Sequence, residues 1–368
     1  MKKNRLAPYA IALFSLLLLF FGCALPAAKA PVPSGLAAWP EADVLFHQDP
    51  LWLGGDGAAS AVLGDGRVLW LFGDSFVCDY SPCTRKTATI VRNSIAVEQG
   101  NDPSRDPAVF YWGRSNEGGP GAYFQSREEG EWLWPSSVLG LDGKALVFFY
   151  RVRAERNALG FAPCGHAAAL VQANPGDPAQ WEVHYLDIPK NGFWVLLGAA
   201  AVRDGGYIYV YGIGKGRDTP VYLARWPVAR FLDAAPEEPE WWAGPDRGFV
   251  PQGQLPGTPT PVMTSGQNEF FVGKNPAGGY YCVQSVGFGP ADLAWRKAAR
   301  LYGPWSPPQP VYAPPEKSLS GVLIYAAKAH PELSGAFPVL TYVPNSLDFN
   351  ALYRDLTLYY PRFVRPAP

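Results

Sequence analysis

Short apolar runs of strand character recur along this chain, each behind a polar turn. Asp65-Gly66-Arg67 leads into a run over 68–72, Asp142-Gly143-Lys144 into 145–150, and Asp204-Gly205-Gly206 into 207–211. Gly266-Gln267-Asn268 leads into 269–272, and a fainter fifth turn, Gly335-Ala336, into 337–342. The turns start at 65, 142, 204, 266 and 335, so the intervals are 77, 62, 62 and 69 residues. An interval held this close over five units marks a repeat architecture. Four short strands and their loops fill one such unit, which is one blade of a β-propeller. The pattern predicts an all-β fold: a five-bladed β-propeller of four-stranded antiparallel blades around a central channel.

In such a fold the residues before each turn belong to the inner strand that lines the channel. Those stretches are 53–60, 134–138, 194–201, 258–263 and 325–332, and many of their residues are small, as crowding at an axis requires. The C-terminal Tyr359-Tyr360-Pro361-Arg362-Phe363-Val364 can supply a last strand. Pairing the terminal segments would close the ring and remove its exposed edge.

Composition narrows the class. The 368 residues are 48% hydrophobic and 17% charged, as in an ordinary globular protein. With 14% aromatic residues beside 39 glycines and 38 prolines, the chain reads as turn-rich rather than disordered. A net charge of −1 offers no attraction for nucleic acid or an anionic membrane.

The N-terminus reads as a targeting segment. Lys2, Lys3 and Arg5 precede an apolar run over 11–21 that is short for a membrane span. Phe20-Phe21-Gly22-Cys23 resembles a lipoprotein cleavage site, with Cys23 as the lipidated residue, although Leu and a small residue are usual at positions 20 and 21. Ala28-Lys29-Ala30 fits ordinary secretion, and an uncleaved anchor is the third option. All three put the folded domain outside the cytoplasm, lipid-anchored to the envelope or secreted. The plan is a leader and start of tether over 1–30, a Pro/Ala-rich tether over 31–39 and one propeller domain over 40–365, with strands starting near Asp43-Val44-Leu45-Phe46. A closed propeller has no obligatory edge to pair, so a monomer is expected.

Apart from Cys23, four cysteines remain for an oxidising compartment. Cys78 and Cys83 flank a turn-like insert and are the first choice for a local disulfide, which leaves Cys164 with Cys282. Three pairings are open on sequence alone. No CxxC spacing suggests zinc, and no metal or cofactor is expected.

Two carboxylates carry the candidate chemistry. Asp56 lies in a Gly-Gly-Asp-Gly turn at the start of the first inner strand, and Asp74 ends the next strand in Phe72-Gly73-Asp74-Ser75. Asp56 is nine residues before Asp65 and Asp74 nine after it. A hairpin folded at that turn brings both to one rim, between one strand spacing and ~10 Å apart. Carboxyls ~5 Å apart suit a nucleophile with an acid/base, and ~6.5–9.5 Å suits a base that holds a water, in glycoside hydrolysis. The competing reading is that each aspartate caps backbone amides in its turn.

Other candidates are more ambiguous. His330, in His330-Pro331-Glu332, could face the channel and shape a pocket, or be a hydrogen-bonded structural residue. Glu131 and Glu269 are spare acids, the second with a surface-like setting. Asn345 and Arg362 could hold hydroxyls or fix the closure strand. Among Trp134, Trp194, Trp241, Trp242 and Trp305, the first two fall at inner-strand starts and could stack on a sugar face. Most tryptophans should pack between blades. No P-loop, Gly-x-Ser-x-Gly elbow or His-Glu-x-x-His motif is present.

Several segments resemble the bacterial domain of unknown function 4185, in family order from about 50 to 365. They include Trp70-Leu71-Phe72-Gly73-Asp74-Ser75, Arg92-Asn93-Ser94-Ile95-Ala96, Tyr209-Val210-Tyr211-Gly212 and Val221-Tyr222-Leu223-Ala224-Arg225. Gly303-Pro304-Trp305-Ser306, Ala329-His330-Pro331-Glu332-Leu333 and Tyr360-Pro361-Arg362-Phe363 complete the set. The resemblance implies a five-bladed propeller related to furanosidase-type enzymes, among them the endo-D-arabinanases of glycoside hydrolase family 183. It places Asp56 and Asp74 in the site. Asn93, in the second quoted segment, joins Arg362 among the sugar-binding candidates. Ser75 stands where Thr is common, and Tyr302 where relatives often have Glu. The expected function is a cell-envelope glycoside hydrolase acting on a polysaccharide. The alternative is a non-catalytic carbohydrate-binding lipoprotein on the same scaffold, with the aspartates bonded to backbone amides.

Overall fold

The computed structural model describes residues 32–173, 176–216, 218–334 and 337–367. The leader, the lipidation candidate Cys23 and the fifth turn Gly335-Ala336 lie outside the described residues. Five antiparallel sheets form a five-bladed β-propeller.

From the axis outward, the first blade runs Trp52–Val62, Val68–Val77, Ser94–Glu98 and Ala108–Tyr111. The second runs Glu131–Leu141, Lys144–Ala154, Phe161–Gln172 and Glu182–Leu186. The third runs Leu196–Asp204, Tyr207–Ile213, Val221–Pro227 and Glu240–Trp242, with Phe249–Pro251 added at its edge. The fourth runs Phe271–Lys274, Tyr280–Ser285, Leu293–Ala298 and Gln309–Tyr312. In the fifth, Val322–Ala329, Leu340–Ser346 and Arg362–Pro366 are completed by Leu36–Ala38 as the outermost strand. First strands of successive blades touch in ring order, and the fifth touches the first.

Ring closure follows from that last sheet. Leu36 pairs with Pro366 and Ala38 with Val364, so a strand from one end of the domain completes a blade built by the other. The ends pair as the sequence suggested, but two expectations change. Leu36–Ala38 is a strand inside the segment read as a tether. The strand expected at 43–46 is instead a short helix, Pro40–Asp43, running into a 3-10 turn, Val44–His47. Pro40 starts that helix, where its missing N–H costs nothing. Leu45 and Phe46 then drop into the core beneath the first blade.

The first three polar turns are the hairpins between first and second strands. Leu63 N donates to Arg67 O at 2.7 Å, with Gly66 at φ 87° supplying the backbone conformation that side chains disfavour. The fourth turn differs. Phe271–Lys274 behind it is the innermost strand of its blade, and the hairpin comes later, where Asn275 N donates to Gly279 O at 2.9 Å. The stretch 258–263 is not an inner strand; Met263 instead bridges to Val221 of the third blade.

Large aromatic side chains fill the seams between blades. Trp52, Trp70, Trp226, Trp241 and Trp295 are fully buried. Full burial of such rings is worth roughly 2–3 kcal/mol each, which makes the seams a main source of stability. At the axis, Ala59, Ser60, Ser136, Ala200 and Ala329 let the inner strands crowd together, and the cavity left among them is ≈ 20 Å³. That is room for about one water. No sugar threads the channel, so a ligand must sit at an open end.

The disulfide Cys78–Cys83 is present. The second expected bridge is not: Cys164 and Cys282 are free thiols. They belong to the second and fourth blades, which are not ring neighbours.

Candidate active site

Asp56 and Asp74 meet at the end of the propeller where the inner strands begin. Gly55 pairs with Ser75 and Gly57 with Phe72, with the register slipping in between. Such slips re-aim side chains. Here they turn the Asp56 carboxyl over Gly73, where any Cβ would overlap Asp56 Oδ1. The two aspartates therefore sit on adjacent strands, as the symmetric spacing about the hairpin predicted.

Among the described residues, neither carboxyl caps a backbone amide. Asp56 Oδ2 accepts from the Tyr325 hydroxyl of the fifth blade at 2.8 Å, and Tyr325 in turn accepts from Asn345 Nδ2 at 2.9 Å. Asp74 Oδ1 accepts from Trp134 Nε1 of the second blade at 2.8 Å, and its Oδ2 from Arg92 Nη1 at 3.0 Å. Arg92 lies over the Trp132 ring, 4.3 Å from its centre. Three blades thus converge on two carboxyls.

Glu269 is the third acid. It precedes the first strand of the fourth blade, and its Oε2 accepts from Lys328 Nζ of the fifth blade at 2.7 Å. A Cβ on Gly57 would stand 3.8 Å from that same oxygen, which puts Glu269 beside the Asp56 turn. The surface setting read for Glu269 from sequence is corrected: it faces the channel mouth. Lys328 is buried, with its ammonium also 3.4 Å from Ser136 O.

The electrostatics separate the acids. Burial, then the charges of Asp74 and Glu269, push the Asp56 pKa well above the ordinary aspartate value, against the Tyr325 hydrogen bond and Lys328. Burial also raises Asp74, while Arg92 and the Trp134 N–H pull it down. Among the described residues, Asp56 Oδ1 and Glu269 Oε1 accept no hydrogen bond, whereas both oxygens of Asp74 are engaged. No group of three or more His, Cys, Asp or Glu among the described residues is arranged to hold a metal ion.

Of the other candidates, Trp134 joins the cluster through Asp74. Trp194 is 70% exposed on the same rim, with Lys215 Nζ 4.5 Å from its ring centre. Three others are structural. His330 is buried, its Nδ1 against Ser60 Oγ at 2.5 Å and its Nε2 against Thr341 Oγ1 at 2.7 Å, so no ring nitrogen is left for a ligand. Asn93 is fully buried and ties the first blade to the second through Phe124 and Leu133 backbone groups at 2.6–2.9 Å. Arg362 holds Asp43 Oδ2 at 3.2 Å and Thr357 O at 2.6 Å, fixing the closure strand. Glu131 is committed to Arg151 at 2.7 Å.

Sequence reasoning missed Lys328, Tyr325 and Arg92. A signal existed for the first: Lys328 is the sole charge in the small-residue stretch Tyr325-Ala326-Ala327-Lys328-Ala329 of an axial strand. A lysine there needs a buried counter-charge.

The fold is similar to that of a Bacteroides ovatus protein described as a candidate hydrolase, with a TM-score of 0.68 at 19% identity over 91% of this chain and 92% of that one. More distant are an α-L-arabinofuranosidase from Podospora anserina in complex with cellotriose and an exo-β-1,3-galactanase from Phanerochaete chrysosporium with galactose. The first has a TM-score of 0.47 at 12% identity, over 87% of this chain and 93% of that one. The second has 0.47 at 12%, over 84% and 60%. At these identities the likeness is one of fold. No curated protein matches the sequence. The matching family model is not the domain of unknown function 4185 expected from the motifs; it is the one described as a domain of unknown function (DUF5005), which matches residues 41–367, and the chain belongs to that family.

Proposed function

We propose that this protein is a glycoside hydrolase that cleaves a cell-envelope polysaccharide by acid–base chemistry at the channel mouth. One observation carries the reading: two aspartates and a glutamate from two blades converge on one rim, bonded, among the described residues, to side chains and not to backbone amides. A turn-capping aspartate, as in a purely structural or binding role, would spend its oxygens on its own turn.

The roles follow from the surroundings. Asp56 holds its proton beyond the ordinary aspartate range and keeps Oδ1 unengaged, which suits a general acid protonating the leaving oxygen. Glu269 has the Lys328 counter-charge on one oxygen and its other oxygen unengaged, which suits the base or nucleophile. Asp74, clamped by Trp134 and Arg92, adds the negative field that keeps Asp56 protonated. Trp134, beside Asp74, and the exposed Trp194 are the rings proposed to stack on sugars at the rim. An extracytoplasmic location, through a secretory leader or a lipid on Cys23, matches such a substrate.

The test is release of new reducing ends from arabinans, galactans and other envelope polysaccharides. Asp56→Asn and Glu269→Gln should each lower the rate by at least about a hundredfold, the usual weight of an acid or base. Retention of a polysaccharide on an affinity gel without cleavage by the parent protein would overturn the hydrolase reading and leave a binding protein.

A further inference from the structure

A second concave feature opens on the same face as the acids. Between the fourth and fifth blades a cleft of ≈ 560 Å³ is walled by Gly289 and Pro290, Lys317 to Leu323, and Ser346 to Asp348. The walls are strand ends and the segments joined to them, at the end where inner strands begin or second strands finish. Its apolar wall stands open: Leu347 is 60% exposed and Leu319 45%, and next to the wall in sequence Phe288 is 79% and Phe349 51% exposed. Large apolar side chains grouped on one rim around a concavity are uncommon on a surface with nothing to bind.

Among the described residues, most polar groups in the wall already have partners. Lys317 Nζ is 2.5 Å from Asp292, Asp348 accepts from Asn350 N at 2.9 Å, and Ser346 Oγ accepts from Asp348 N at 3.1 Å. A sugar ring needs several free donors and acceptors, whereas the surface this cleft exposes is mostly apolar, from Pro290, Leu319, Val322, Leu323 and Leu347. Its volume is in the range of sites for small organic ligands.

The cleft is joined to the acids. Leu323, in its wall, pairs across strands with Asn345. Asn345 bonds Tyr325, and Tyr325 bonds Asp56. A molecule lying in the cleft therefore ends within one strand pairing and two hydrogen bonds of the proposed proton donor.

We propose that this cleft seats a hydrocarbon chain carried by the substrate, so that the glycan cleaved is an amphiphile bearing an acyl or polyisoprenyl-type group. The proposal rests on the hydrolase reading for the word substrate, and on the cleft alone for the binding. Apolar burial drives the binding, and the chain fixes which sugar faces Asp56.

The probe is 11-(dansylamino)undecanoic acid, titrated into the protein and followed by dansyl fluorescence. Saturable binding is expected for the parent and unchanged for Asp56→Asn. A Leu319→Gln/Leu347→Gln double variant should bind about tenfold more weakly, since each leucine gives up part of its ~1.5–3 kcal/mol of apolar contact and 1.4 kcal/mol is a factor of ten. Both leucines are exposed, so the variant should melt with the parent. Equal affinity of parent and double variant, or no saturable binding, would overturn the cleft. The two readings then fail separately. Glycan cleavage without probe binding removes the cleft proposal and leaves the hydrolase. Cleft-dependent probe binding with no glycan cleaved removes the hydrolase and leaves a site for hydrocarbon chains.

Discussion

Tyr325 of the fifth blade donates its hydroxyl to Asp56 of the first at 2.8 Å, so the seam that closes the ring also sets the state of the proposed acid. This hydrogen bond favours the charged carboxylate and opposes the burial that raises its pKa. Tyr325→Phe removes that opposition and should raise the Asp56 pKa further. A hydrogen bond to a charged group is worth ~1.5 kcal/mol, so the alkaline limb of kcat/KM should move up by roughly one pH unit. A profile that keeps its limb while only its height falls would assign the limb to a different group.

Gly73 predicts a sharper separation of activity from folding. It is tolerated as glycine because Asp56 Oδ1 occupies the space of a Cβ. Gly73→Ala must displace the carboxyl, while the first and second strands on either side keep their pairing. Misplacing a reacting group by ~1 Å can cost about a hundredfold in rate. The expected result is a loss of that order with little change in melting temperature. Full activity in Gly73→Ala would mean that the position of Asp56 is not critical.

Asp56 should also tax stability. A carboxyl whose folded pKa lies above its unfolded value of 3.8 binds more protons folded than unfolded. Its contribution to stability is intact below pH 3.8 and is lost as the pH climbs toward the raised value. Asp56→Asn keeps an acceptor for Tyr325 and removes the charge. The variant should melt a few degrees above the parent near about pH 8, on the order of 1–2 kcal/mol, with the gap closing near about pH 4. A gap independent of pH would show that the charge is not its source.

Much of this fold was legible in the chain, and the failures have a common cause. The Asp65, Asp142 and Asp204 turns mark true hairpins because a tight turn between first and second strands needs polar and glycine residues. Apolar periodicity, however, does not distinguish a first strand from a second. The fourth blade shows the consequence. Its inner strand is only Phe271–Lys274, so the run after Gly266 was read one strand too far out, and Glu269 with it. The proximity of Asp56 and Asp74 was legible because they flank a single hairpin. Tyr325 and Trp134 reach them from the fifth and second blades, Lys328 reaches Glu269 from the fifth, and no local pattern encodes a contact between blades. His330 and Asn93 looked like site residues because polar side chains in strands suggest ligands; both instead bond neighbouring strands.

The last prediction concerns a buried acid far from the mouth. Glu98 is fully buried in the first blade, with Oε2 accepting from Trp70 Nε1 at 2.9 Å and Oε1 without a partner among the described residues. Burial, reinforced by Asp106, Glu332 and Asp102, lifts its pKa from 4.5 to about 8. The folded state therefore binds the extra proton between those values, and stability should fall as pH rises through that window. The full shift corresponds to an upper bound of ~5 kcal/mol, of which relaxation should leave a few. Glu98→Gln preserves the acceptor for Trp70 and removes the titration. Urea midpoints at pH 5, 7 and 9 should decline for the parent and decline much less for the variant. Parallel curves would mean that Glu98 is charged in the folded protein, and that its unpartnered oxygen has found a counter-charge or water.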